Sequence, residues 1–218
     1  MKYENSVFIN CPIDSSFIDN LLKPTLYYLI TNGFNPRLSI EISDSGKSRL
    51  EKIIEMIKEC KYSIHDLSKV KSKKVNEFAR MNMPFELGMD FGLRNSADKK
   101  NSDKQFLILE AKKYDSQKAL SDINGFDCKA HRNDTKKILE CLYTWGSETL
   151  MIRKQSPPLK TYYDFIDFNT CLYEEKIAEF GNEIFAKNYI HKISIPEYIK
   201  EIKESTLLLS TKVIHRVG

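Results

Sequence analysis

Across the first 150 residues, short apolar runs alternate with stretches whose apolar residues recur at helical spacing. No other feature limits the fold so strongly, because strands separated by helices must run parallel and be covered on both faces. "SVFINC" (6–11), "PRLSIEI" (36–42), "YSIHDLS" (62–68) and "QFLILEA" (105–111) read as strands, with "CKAHR" (128–132) as a short fifth. Between them lie helical patterns. "SFIDNLLKPTLYYLITNG" (16–33) stops at Asn32-Gly33, and Pro24 within it predicts a kink or a later start. "KSRLEKIIEMIKEC" (47–60) aligns Leu50, Ile53, Ile54 and Ile57 on one face, with Ser48 and Glu51 spaced as a capping box. A proline-led helix is expected over 84–94 and another over "DTKKILECLYTW" (134–145). Five strands in this arrangement predict an α/β, flavodoxin-like parallel sheet with strand order 2-1-3-4-5.

The character changes at "RKQSPPLK" (153–160), where two prolines break the pattern. Beyond them the chain is aromatic and helical, with tyrosines and phenylalanines at 162–173 spaced to pack onto the preceding part, and Ser194 placed to cap a helix from Pro196. The expected division is an α/β domain over 1–152 and a C-terminal helical extension over 153–218. With 41% hydrophobic residues, 12 Phe and 11 Tyr, a chain of 218 residues has ample material for a core. The net charge of +4 is interspersed without a dominant basic block, which argues against a nucleic-acid partner. Five scattered cysteines without a C-x-x-C pair argue against a disulfide framework or zinc site and fit a reducing compartment. The four histidines show no metal spacing and read as structural or surface groups; no metal is expected. No run approaches the ~20 apolar residues of a membrane span, and the start lacks a signal-like stretch, so a cytoplasmic location is expected.

In an open α/β sheet, ligands bind beyond the carboxyl ends of the strands. That rule gathers Asn10 and Asp14 after the first strand, Glu41, Ser43, Asp44 and Ser45 after the second, and Asp66 and Ser68 after the third, with Asn82 and Glu86 on the next segment. "EISDSGKS" (41–48) imitates a phosphate-binding P-loop, but that pattern requires glycine where Glu41 stands. A single anionic group could still sit at the helix start near Gly46–Ser48, with Lys47 or Arg49 beside it. Within "RMNMPFELGMDFG" (80–92), Glu86 stands inside an apolar, methionine-rich run, two residues past Pro84 and two before Gly88. The plainer reading is an acid in the first helical turn, complementing the helix dipole. On that placement the carboxylate stays ionised at neutral pH, and Gly88 with Gly92 leaves a bare stripe for close approach of a neighbouring backbone. An ionised carboxylate at a crevice floor also suits cleavage of a glycosidic bond, whose transition state is cationic at the sugar carbon.

"SVFINCPID", "IEISDSG" with "RLEKIIEMIKECKYSIHDLS", and "RMNMPFELGMDFGL" together resemble bacterial TIR-like proteins and, more distantly, the nucleoside 2-deoxyribosyltransferase-like superfamily. The resemblance covers roughly residues 5–145, and its most specific element is "NMPFELG". It implies that Glu86 is the catalytic carboxylate, either splitting the nicotinamide–ribose bond of NAD in an antiphage effector or attacking the anomeric carbon of a deoxynucleoside. It implies that Asp66 contacts substrate, and that the chain forms a homo-oligomer. "FINCPID" departs from the opening segments of both groups. The expected activity is therefore an N-glycosidase on NAD or a related nucleotide, without a cofactor of its own. Asp66, Asp44 and Asn82 would position ribose or base, Asn10 and Asp14 line the crevice, and Arg49 meet a phosphate. The alternatives are a non-enzymatic nucleotide-sensing, self-assembling module and a deoxyribosyltransferase of nucleoside salvage.

Overall fold

The computed structural model describes residues 3–41, 45–72, 76, 78–97 and 99–214, with side chains described as far as residue 208. In chain order the elements are β1 (Ser6–Asn10), α1 (Ser15–Phe17), a π-helical segment (Ile18–Leu22), α2 (Lys23–Thr31), β2 (Asn35–Arg37), α3 (Arg49–Glu59) and β3 (Tyr62–Asp66). They continue as α4 (Asn82–Arg94), β4 (Gln105–Glu110), α5 (Asp115–Ala119), β5 (Lys129–Ala130), α6 (Thr135–Glu148), α7 (Pro158–Phe180), α8 (Glu183–Lys192) and α9 (Ile195–Ile214). The five strands form one parallel sheet in the order β2-β1-β3-β4-β5, the flavodoxin-like arrangement expected from the sequence.

Alternation along the strands sorts the core into two layers. Ile9, Ile64 and Leu107 are register partners, and with Val7, Tyr62 and Leu109 they face α2, α6, α7 and α9. The intervening positions, Phe8, Asn10, Ser63, His65 and Ile108, point to the opposite face, where α3 and α4 lie. Phe165, Phe168 and Leu172 of α7 and Tyr198, Ile199 and Ile202 of α9 share the first core layer with β1 and α2. The helices beyond residue 153 therefore complete the main core. Among the described residues no helix is long and apolar enough to cross a membrane.

Local chemistry accounts for the boundaries. Ser48 and Glu51 form the expected capping box at the start of α3, Ser48 Oγ accepting the Glu51 N–H at 3.1 Å. Ser48→Ala is expected to destabilise the protein by about 1 kcal/mol, read as a lower urea midpoint with unchanged slope. Ser194 likewise accepts the Glu197 N–H, although α9 starts at Ile195, one residue earlier than expected. Pro24 cannot donate to the preceding turn, and the chain answers with the π-helical widening just before it, in which Lys23 N–H reaches back to the Ile18 carbonyl.

Three expectations need correction. The strand expected over 36–42 ends at Arg37, because Glu41 folds back to accept the Leu38 N–H and to pair with Arg37 at 3.0 Å, closing a tight turn. The helix expected from Pro84 starts at Asn82, so Glu86 is its fifth residue and lies beyond the first turn. Gly88 and Gly92 admit no close backbone: a Cβ built on either meets nothing within 4 Å.

Candidate functional site

Beneath the carboxyl ends of β1 and β3 runs a chain of buried polar groups. Asn10 Nδ2 lies 2.9 Å from the Met83 carbonyl and 3.0 Å from His65 Nδ1. A carbonyl only accepts, so that atom of Asn10 is the amide nitrogen, and it donates to Nδ1 as well. The ring proton of His65 is thereby placed on Nε2, which donates to Asp90 Oδ2 at 3.1 Å. Ser63 Oγ donates to the same oxygen, while Lys104 Nζ stands 3.2 Å from Oδ1 and donates to the Ile57 and Cys60 carbonyls. Burial alone would raise the pKa of Asp90, but the hydrogen bonds from His65 and Ser63 and the Lys104 charge more than reverse it, to below its ordinary value. Asn10 thus ties the first turn of α4 to the sheet instead of presenting its amide nitrogen to a crevice.

Glu86 comes next on the buried face of α4, one turn before Asp90, and is 5% exposed. Among the described residues its carboxyl group accepts no hydrogen bond, yet its oxygens are not among the fully enclosed unpartnered atoms, so they retain a path to solvent. Desolvation pushes its pKa up to about 7, against the opposing influence of the Arg49 guanidinium at the start of α3. The expected permanent ionisation is therefore corrected. Glu86 sits too far along the helix to meet the free N–H groups, and burial decides. The half-buried Cys11 thiol marks the same rim: burial, then the charges of Asp66, Glu86 and Asp14 in that order, push its pKa well above the ordinary value.

Asp66, 1% exposed, is committed on both oxygens. Oδ1 accepts the Ser68 N–H at 2.9 Å and Oδ2 lies 2.9 Å from His131 Nε2. Asn133 N–H donates to His131 Nδ1 at 3.0 Å, which leaves the proton on Nε2, facing Asp66. Ser68 Oγ is 2.9 Å from that same Nε2. A serine nucleophile needs a lone pair on the nitrogen beside it and the acid on the other nitrogen, so this Ser-His-Asp cluster fixes a loop and activates nothing. Asp66 accordingly anchors this loop through both oxygens.

Of the remaining candidates, Asp14 caps α1 by accepting the Phe17 N–H and stands 3.4 Å from Lys69. Asn82 and Arg49 are exposed at the first positions of α4 and α3. Asp44, with Ile42 and Ser43, lies outside the described residues. The structure therefore gathers Glu86, Asp66, Asp14, Cys11 and Arg49 into one electrostatic neighbourhood and places Asn10 below it. Sequence reading missed His65, Asp90, Lys104 and His131. The available signal was parity: His65 shares its pleat face with Asn10, and Asp90 repeats the face of Glu86 four residues on.

Among the described residues no group of three His, Cys, Asp or Glu side chains is placed to hold a metal ion. No family model, curated protein or solved structure matches the chain.

Proposed function

We propose that the chain is an N-glycosidase-type enzyme cleaving the bond between a ribose anomeric carbon and its base in NAD or a related nucleotide, with Glu86 as the catalytic carboxylate. One observation carries this reading: a carboxyl group on the helix after β3, buried without a hydrogen bond among the described residues and still reached by solvent. A structural acid in such a position is ordinarily paired or hydrogen-bonded. Glu86 is held ready instead, beside the sheet's switch point, where α/β folds bind ligands.

The pKa of about 7 fixes the direction of the chemistry. When the C–N bond of a nicotinamide riboside breaks, the electron pair stays with the ring nitrogen, and the base departs neutral without needing a proton. The sugar is left as an oxocarbenium ion, which an ionised Glu86 stabilises or captures before water completes the hydrolysis. Cleavage should therefore increase as pH rises through about 7 and level off above it. A purine base leaving a deoxynucleoside needs a proton, and with Glu86 as its donor that reaction would fall over the same interval.

The test is to incubate the purified protein and Glu86→Gln with NAD, NADP and deoxynucleosides from about pH 5 to 9, following base release. A loss of about 10²–10⁴-fold in the variant is expected. Equal turnover by the two proteins would remove Glu86 from the mechanism.

A further inference from the structure

A concavity whose lining does not include Glu86 lies at the carboxyl ends of β4 and β5, with several basic residues around it. We propose that it binds the phosphate groups of a small anionic ligand, the size of pyrophosphate or a nucleoside diphosphate. The cavity of about 820 Å³ is lined by Lys112 and Lys113 from the segment after β4, and by Lys129 and Arg132 from β5 and the turn beyond it. Its size falls in the range of small-molecule sites, roughly 300–1,000 Å³. Asp127 is the one carboxylate in the lining, and it pairs with Lys129 at 2.8 Å. Lys113 leans over the Tyr114 ring at 4.9 Å, while the Lys112 and Arg132 side chains have no acidic partner among the described residues. Three positive charges without an acidic partner thus surround one hollow, a potential that attracts an anion.

The backbone holds these charges together. Tyr114, Arg132 and Asn133 all adopt left-handed conformations, with φ of 70°, 56° and 54°, although none is glycine. Such geometry persists where the surroundings enforce it and clusters at ligand sites. Here the enforcing groups are visible. Glu110, 1% exposed, accepts the Tyr114 N–H at 2.7 Å, His131 accepts the Asn133 N–H, and the Arg132 N–H bonds the Ala111 carbonyl at 3.0 Å. The last bond joins the two segments, so the lysines of one and the arginine of the other cannot drift apart. Arginine at such a position can grip a phosphate through two parallel N–H groups, with lysine as a point charge beside it. A small, half-open hollow with few charges matches a pair of adjacent phosphates better than the extended basic face that nucleic acid requires.

Calorimetric titration at low salt tests the site with inorganic pyrophosphate, ADP and adenosine as probes. Pyrophosphate and ADP should bind the parent protein, and Lys112→Gln/Arg132→Gln should weaken both at least about tenfold, each lost charge-assisted contact being worth that much. Adenosine should be indifferent to the change. Lys154→Gln, outside the lining, should bind as the parent does, and a coincident melting curve shows that the double variant is folded. Glu86→Gln should retain pyrophosphate binding, so this inference and the proposed chemistry can fail separately. No pyrophosphate binding by the parent, equal binding by the double variant, or adenosine responding as ADP does would each overturn it.

Discussion

Asp90→Ala is expected to destabilise the protein by about 3–5 kcal/mol, the usual cost of leaving a buried charge without its partner. Lys104 is 0% exposed, and Asp90 is the carboxylate facing its ammonium group. The same truncation removes the acceptor for Ser63 and for the ring N–H of His65, which then cannot hold Asn10 against the first turn of α4. For a chain of this length the melting temperature should fall by roughly 6–20 °C. Urea melts of Asp90→Ala, Lys104→Met and the double variant check the cause. The two changes should be far from additive, because the double variant leaves neither charge stranded. A cost below about 1 kcal/mol for the single change would show that the ammonium group finds other partners.

Glu86→Gln has the opposite sign. The carboxyl group titrates at about 7 in the folded protein against an ordinary 4.5, so the native state favours the protonated form. Its stabilising effect is complete below the ordinary value, declines as pH rises, and is gone above about 7. Linkage makes this loss about 3 kcal/mol, less roughly 1 kcal/mol for the unmet donors of the new amide. The variant should melt roughly 2–4 °C below the parent near pH 4, where only the amide's cost remains, and roughly 4–8 °C above it near pH 8. Asp90 acts at the other end of the scale. Its depressed pKa confers stability that is lost as pH falls, so the acid limb of the melting profile should survive in Glu86→Gln. Glu86 would then be a residue retained at the expense of stability, as expected of a reacting group. Coincident melting temperatures at pH 8 would show that the carboxyl group is not desolvated.

The layered architecture was legible because β1 and β4 are short, mostly apolar and buried, β3 sets Tyr62 and Ile64 between polar residues, and helices of 9, 11 and 13 residues (α2, α3 and α4) lie between them. β2 misled for a definite reason. Leu38 and Ile40 alternate with polar residues as in a strand, but at the sheet edge no further partner competes for the backbone, and Glu41 closes a turn instead. The convergence of Glu86, Asp66 and Asp14 followed from topology alone. Their states did not, since the protonation of Glu86 follows from burial by elements distant in sequence, against the influence of Arg49, and the double commitment of Asp66 depends on His131. The polar chain under the site was hidden for the same reason: Lys104 and Asp90 look like ordinary surface charges until the fold brings them together.

The participation of Tyr198, Ile199 and Ile202 in the layer that also holds Val7, Leu26 and Leu29 bears on biosynthesis. On the ribosome, β1 and α2 emerge before α6, α7 and α9, the helices that cover their shared apolar flank. The part of that flank α9 covers waits, open to chaperones or to a neighbouring nascent chain, until α9 leaves the exit tunnel. Folding of β1 and α2 is therefore coupled to the arrival of α9, and termination before residue 195 should yield aggregates in place of a smaller folded protein.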